Sequence, residues 1–138
     1  ALFQYGNIFL MEKNYKQALL EYNKIIKIKS NFWQAINNKG LIYFEQDEIL
    51  LAINNFTKAI EIKKNAESML ALAVSLKDTN KRKSILLVKE ALQKNPKYAS
   101  FEFREEQLWG EKLQKATEEL FKIKELEKDI SIANLNKN

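Results

Sequence analysis

Few residues in this chain have side chains that could catalyse a reaction. The 138 residues include no His and no Cys, so the usual general base near neutral pH and the thiolate nucleophile are absent. Adjacent carboxylates such as Glu105 and Glu106 point in different directions on a helix and cannot converge on one substrate atom. The three glycines, Gly6, Gly40 and Gly110, are too far apart to form a phosphate-binding loop. We therefore predict that the chain is not an enzyme and needs no cofactor or metal.

The charge of the chain raises the question of nucleic-acid binding. The formal net charge is +5, but only Arg82 and Arg104 among the 23 basic residues are Arg. Arg is the side chain that forks onto phosphate and guanine, so its near absence argues against a nucleic-acid partner. The compact cluster Lys81-Arg82-Lys83 is typical of a solvated turn before a helix. An RNA-associated protein that uses its Lys-rich surface remains the alternative.

The elements that carry these side chains are predicted to be helices. Apolar residues recur with the i, i+3, i+4, i+7 spacing of amphipathic helices at positions 15, 18, 19, 22, 25, 26 and at 49, 52, 53, 56, 59, 60. Gly6 and Gly40 lie within helical patterns, where Gly costs about 1 kcal/mol relative to Ala and is tolerated where helices cross closely. Asn14 and Asp47 mark the turns between helices, because such side chains bond to the local backbone. The pattern predicts an all-α fold.

Two stretches of the chain repeat with a period of 34 residues. The first copy has Gly6, Ala18, Tyr22 and Ile25, and the second has Gly40, Ala52, Phe56 and Ala59. A period of this length indicates that each unit is one pair of helices. Because one pair cannot bury its apolar face alone, the pairs are expected to stack into a solenoid.

These positions resemble the signature of the tetratricopeptide repeat family. The first repeat supplies Leu2, Gly6, Phe9, Tyr15, Ala18, Tyr22 and Ile25, and the second supplies Ile36, Gly40, Tyr43, Ala52, Phe56 and Ala59. A third, degenerate repeat supplies Met69, Ala73, Leu76, Ser84, Val88, Ala91 and Pro96. The resemblance implies a solenoid of helical hairpins and a function in holding another protein.

We predict one domain over residues 1–128, with repeats at about 1–32, 33–65 and 66–97 and a C-terminal cap at 98–128. The cap is expected to contain helices at 98–108 and 111–128, and residues 129–138 are expected to form a frayed tail. Its Trp109 either packs onto the third repeat or marks a partner surface. Because Ala1 already falls within a helical pattern, we expect the chain to be part of a longer protein.

The C-terminal stretch also resembles a segment of tetratricopeptide repeat proteins from cyanobacteria and plastids. The similarity lies in an aromatic-rich helix followed by Leu108-Trp109-Gly110 and a final helix. It implies an accessory or assembly role in a photosynthetic cell, with the cytoplasm or the plastid stroma as the compartment. No stretch approaches the roughly 18 apolar residues of a membrane span.

The family resemblance also implies where a partner binds. First helices of the repeats line a concave groove, and their non-signature positions contact the ligand. The candidate groove residues in this chain are Phe3, Gln4, Asn7, Gln34, Asn37, Asn38, Leu41, Phe44 and Leu70. Asn and Gln carry both donors and acceptors, so they can bond to a peptide backbone of any sequence. A polar solvated surface is the alternative interpretation of the amides. We expect Asn38→Ala to weaken binding and to leave thermal stability nearly unchanged.

One subclass of the family grips the C-terminal carboxylate of chaperones with cationic side chains. Asn7 and Asn38 match the two Asn residues of that clamp. Phe3 stands where the first Lys is needed, and Glu67 and Ala71 stand where the last two cations are needed. The clamp is therefore absent, and we predict a protein or peptide partner of another kind.

Overall fold

The computed structural model describes residues 2–137, which form helices joined by short connections and contain no strand in that range. The α-helices are α1 Leu2–Met11, α2 Tyr15–Ile28, α3 Trp33–Glu45, α4 Ile49–Ile62, α5 Ala66–Ser75, α6 Lys81–Lys94, α7 Phe101–Glu106, α8 Glu111–Leu120 and α9 Glu127–Asn136. Two 3₁₀ turns, Pro96–Ala99 and Lys124–Leu126, follow α6 and α8. The all-α prediction is confirmed.

The first six helices form three antiparallel pairs. α1 packs on α2, α3 on α4 and α5 on α6, and the second helix of each of the first two pairs packs on the first helix of the next. Ala18, Ala52 and Ala59 are completely buried on the second helices. The predicted solenoid of helical hairpins is therefore confirmed, with small residues where second helices meet their neighbours.

The turns inside the first two pairs have the same conformation. Lys13 and Asp47, which are 34 residues apart, both adopt left-handed backbone angles, with φ of 60° and 63°. The amide of Asn14 bonds to the Phe9 carbonyl at 2.8 Å, as in the helix ending that usually places Gly at the left-handed position. The Asn14 side chain then caps α2 by accepting from Gln17 N at 3.4 Å.

Helix α5 occupies the centre of the molecule. Nine of its ten residues are buried, and Glu67 is the exception. This burial follows from its neighbours, because α4, α6 and α8 all pack against α5. A helix that is apolar on all sides is stable only in such a position.

The C-terminal part differs from the sequence-based prediction. Residues 98–108 are not one helix, because Ser100 caps a new helix, α7, by accepting from Phe103 N at 3.2 Å. The helix predicted for 111–128 ends at Leu120. The stretch expected to be a frayed tail is helical to Asn136, since α9 packs on α6 and buries Ala133. Ala1 and Asn138 lie outside the described residues.

Candidate functional site

The concave face of the second and third helix pairs is covered by the chain's own C-terminal segment. Helix α8 packs against α3 and α5, the first helices of these two pairs. Its residues Leu113, Thr117 and Leu120 are each at most 1% exposed. The surface that the family resemblance assigns to a partner is thus occupied here by α8.

Glu45, at the end of α3, holds the beginning of α8. Its two carboxylate oxygens accept hydrogen bonds from the backbone N–H groups of Lys112 and Leu113, both at 3.0 Å. The first N–H groups of a helix have no partner within the helix, and a negative charge is favourable there. A Cβ at Gly110 would collide with this carboxylate, which explains the glycine. The Lys112 ammonium adds an ion pair with Asp47 at 2.6 Å.

Trp109 anchors the turn between α7 and α8. Its indole Nε1 donates to Glu67 Oε2 at 3.1 Å, and the Tyr98 hydroxyl donates to Glu67 Oε1 at 3.4 Å. Burial raises the pKa of the Glu67 carboxyl above its usual range, although these hydrogen bonds oppose the shift. Because Trp109 is only 4% exposed, the interpretation in which it packs onto the third repeat is correct.

Arg104 organises the cap from within. Its guanidinium is fully buried and donates to Gln114 Oε1 at 2.7 Å, to the Tyr98 carbonyl at 2.8 Å and to Glu118 Oε2 at 2.7 Å. It also lies 5.2 Å from the centroid of the Phe121 ring. Burial lowers the pKa of Arg104, and Glu118 opposes that shift. The sequence analysis missed this residue. The available signal was an Arg within an aromatic-rich segment of a chain that otherwise uses Lys.

A chain of side-chain hydrogen bonds connects the three helix pairs beneath the concave face. The Tyr22 hydroxyl donates to Asn7 Oδ1, and Asn38 Nδ2 contacts Asn7 Oδ1 at 3.1 Å and the Tyr22 hydroxyl at 3.3 Å. Asn37 Nδ2 donates to Asn38 Oδ1 at 3.1 Å, and Ser68 Oγ donates to Asn37 Oδ1 at 2.7 Å. Burial raises the pKa of Tyr22 to about 12. These amides therefore serve the interior of the protein.

One part of the concave surface stays open. We call it the α1 cleft: its walls are α1 and the α7–α8 turn, and its floor is α3. It consists of two depressions of about 600 and 340 Å³. The larger one is lined chiefly by Leu10, Met11, Leu41, Glu45, Phe101, Leu108 and Trp109, and the smaller one by Phe3, Asn7, Trp33, Gln34, Asn38, Glu67 and Gln107. Leu108 borders both depressions.

The predicted groove residues divide into two groups. Five of them line the α1 cleft, namely Phe3, Asn7, Gln34, Asn38 and Leu41. Gln4 is exposed near its edge. The structure corrects the expected exposure of Asn37, Phe44 and Leu70, which lie in the interior at 1%, 8% and 0% exposure. The reason is α8, whose position could not be read from the repeat pattern.

The fold and site define a class of protein: stacked helical hairpins whose concave face is partly filled by a C-terminal cap. Residues 34–66, which span the second helix pair, match the family model for the tetratricopeptide repeat. The match identifies the chain as a tetratricopeptide repeat protein and supports a general role in protein–protein interaction. No curated protein shows significant similarity to the sequence. Within residues 2–137, no helix has the length and apolar character needed to cross a bilayer.

Proposed function

We propose that this chain is a non-catalytic scaffold or assembly factor that binds a segment of another protein in the α1 cleft. The observation that supports the proposal is the incomplete filling of the concave face. Helix α8 covers α3 and α5, whereas the inner side of α1, with Phe3, Asn7 and Leu10, faces open space.

The shape and lining of the cleft suit a peptide segment. Concave sites with apolar walls and a few polar groups are the usual form of binding pockets. Here Met11 and Phe101 are 66% and 40% exposed at the edge of the larger depression. Gln34 and Gln107 offer amide donors and acceptors in the smaller one. Apolar anchors would then supply the affinity, and the amides would orient the peptide backbone.

The test is a pull-down from the lysate of the source cells with three forms of the purified chain. Gln34→Trp places a large ring in the cleft, and Asn54→Trp places the same ring on an exposed position of α4 as the matched control. We expect a partner that is retained by the wild type and the control and is lost with Gln34→Trp. Retention by all three forms would show that the partner docks outside the cleft.

RNA is the second candidate ligand, and one observation favours it. Lys63, Lys64 and Lys94 line a separate depression of about 430 Å³ together with Trp33. Binding to phosphates would weaken by about 10³-fold or more between 50 and 200 mM salt if six contacts were made. The same range of salt should affect the protein complex far less, so a titration in both salts separates the two functions.

A further inference from the structure

The α1 cleft has an acidic lining in a basic protein. The charged side chains around its two depressions are Lys13, Glu45, Glu67, Glu105, Glu106 and Glu111. One ammonium group and five carboxyl groups therefore surround the cleft, although the whole chain carries a net charge of +5. Charge of one sign along a cleft attracts the opposite charge and repels its own.

The carboxylates of the cleft differ in their availability. Glu45 is engaged with the backbone of α8, and Glu67 with Trp109 and Tyr98. Glu105, Glu106 and Glu111 are exposed, and none of the three forms an ion pair within residues 2–137. These three are the carboxylates that an incoming cation could meet.

Apolar side chains alternate with these charges. Leu10, Met11, Leu41 and Leu108 lie in the larger depression beside Glu105 and Glu111. A partner segment that suits both features needs large apolar side chains for the depression and cations for its rim. An RNA backbone or an acidic peptide would bring negative charge against the carboxylates and would be repelled.

We propose that the α1 cleft binds a basic segment of a protein partner, with Lys or Arg residues flanking one or two large apolar side chains. This inference rests on the proposed function and specifies the partner's chemistry. In the complex, the apolar side chains fill the larger depression, and the cations lie against Glu105, Glu106 and Glu111. The Lys-rich outer surface then has no part in binding this segment.

The first experiment selects ligands without assuming a sequence. A phage-displayed library of random 12-residue peptides is panned on the immobilised full chain, with Gln34→Trp and Asn54→Trp as the blocked and unblocked controls. We expect an enriched pool that binds the wild type and Asn54→Trp, fails on Gln34→Trp, and carries net positive charge with at least one large apolar residue. A neutral or acidic pool with the same dependence on Gln34 would overturn the basic partner and leave the proposed function standing. An absence of peptides that Gln34→Trp blocks would overturn both.

The second experiment tests the carboxylates directly with an enriched peptide as a fluorescent probe. Glu105→Gln combined with Glu106→Gln should weaken binding by about three- to tenfold, since each exposed ion pair contributes little and two are removed. The matched control combines Glu48→Gln with Glu61→Gln, which removes the same charge from exposed positions outside the cleft. We expect its affinity to equal that of the wild type. Equal weakening by both double variants would assign the effect to overall charge and overturn the inference.

Sedimentation of the chain without peptide covers the remaining occupant, a second copy of this Lys-rich chain. The expected result is a species of the same mass for the wild type and the Glu105→Gln, Glu106→Gln variant. A dimer that dissociates in this variant would assign the cleft to self-association and contradict a distinct partner.

Discussion

The first two helix pairs and the C-terminal cap are stabilised by different kinds of contact. In the pairs, a Cβ on Gly6 would lie 2.5 Å from a carbon of the Tyr22 ring, and a Cβ on Gly40 would lie 2.5 Å from the matching carbon of Phe56. The same close contact thus recurs after 34 residues. In the cap, Gly110 admits the Glu45 carboxylate, and this contact joins residues more than 60 positions apart without a counterpart elsewhere.

The difference has a consequence for robustness. A repeated contact is distributed over the stack, and each pair depends mainly on its immediate neighbours. The cap instead depends on four individual residues, Glu45, Glu67, Arg104 and Trp109, each of which makes a hydrogen bond that no other residue can replace. Substitutions should therefore affect the two regions by different amounts.

The largest effect is expected for Arg104→Met. The substitution leaves the Tyr98 carbonyl and Gln114 Oε1 without a donor in a buried site, and we expect it to lower the free energy of unfolding of the cap by about 3 kcal/mol. Urea unfolding followed by Trp109 fluorescence measures this in a Trp33→Phe background. Arg82→Met on the exposed side of α6 is the control. Equal unfolding curves for the two variants would contradict the role of Arg104.

A smaller effect is expected for Gly40→Ala in the regular part. The added methyl group overlaps the fully buried Phe56 ring, which has no room to move. Overpacking should outweigh the gain in helix propensity and cost about 1–2 kcal/mol in the global free energy of unfolding. Circular dichroism during thermal unfolding checks this, with Lys58→Ala as an exposed control. A stabilised protein would show that α3 and α4 can separate at this crossing.

The third prediction replaces the expectation that Asn38 is dispensable for stability. Asn38→Ala removes the bonds to Asn7 and Tyr22 and leaves buried Asn37 Nδ2 without its acceptor. We expect a loss of about 1–2 kcal/mol in the free energy of unfolding. Chemical denaturation of Asn38→Ala and of the exposed Asn54→Ala makes the comparison. Unchanged stability in both would restore the view of Asn38 as a surface residue.

Glu45→Ala should act locally and by less. Its loss deprives Lys112 N and Leu113 N of their acceptor at the start of α8, which costs about 1 kcal/mol. Amide hydrogen exchange at these two residues should accelerate about fivefold while the α3–α4 amides are unchanged. Glu48→Ala serves as the control, because that side chain makes no cap bond. Uniform acceleration throughout the protein would mean that the cap and the stack unfold together.

The smallest effect concerns Glu67→Gln. Because burial raises the pKa of Glu67 in the folded protein, the folded state holds this proton more tightly than the unfolded chain. The ionised carboxyl therefore destabilises the fold as the pH rises above its ordinary range, and this cost is absent in more acidic solution. We expect Glu67→Gln to be neutral or slightly stabilising near neutral pH and to remove this pH dependence, as measured by urea unfolding across pH. Glu61→Gln should retain the wild-type profile, and a large loss of stability in Glu67→Gln would show that the charge itself holds Trp109.

The sequence by itself determined the helical hairpins. The 34-residue recurrence of Gly6 and Gly40, and of Tyr22 and Phe56, specifies which faces meet, because local spacing decides the apolar stripe of a helix and a repeated stripe must stack. Asn14 and Asp47 likewise announced the turns. These features depend on residues that lie close together in the chain or recur at a fixed distance.

Only the tertiary structure decided what covers the concave face. The path of α8 depends on contacts between Glu45 and Leu113 and between Glu67 and Trp109, which are 68 and 42 residues apart and follow no period. For the same reason the amides of Asn37 and Asn38 looked like surface groups, although the fold places them in a buried network with Ser68. A polar residue on a predicted inner face binds a partner or a neighbouring helix depending on what packs above it, and that is set by the three-dimensional arrangement of the whole chain.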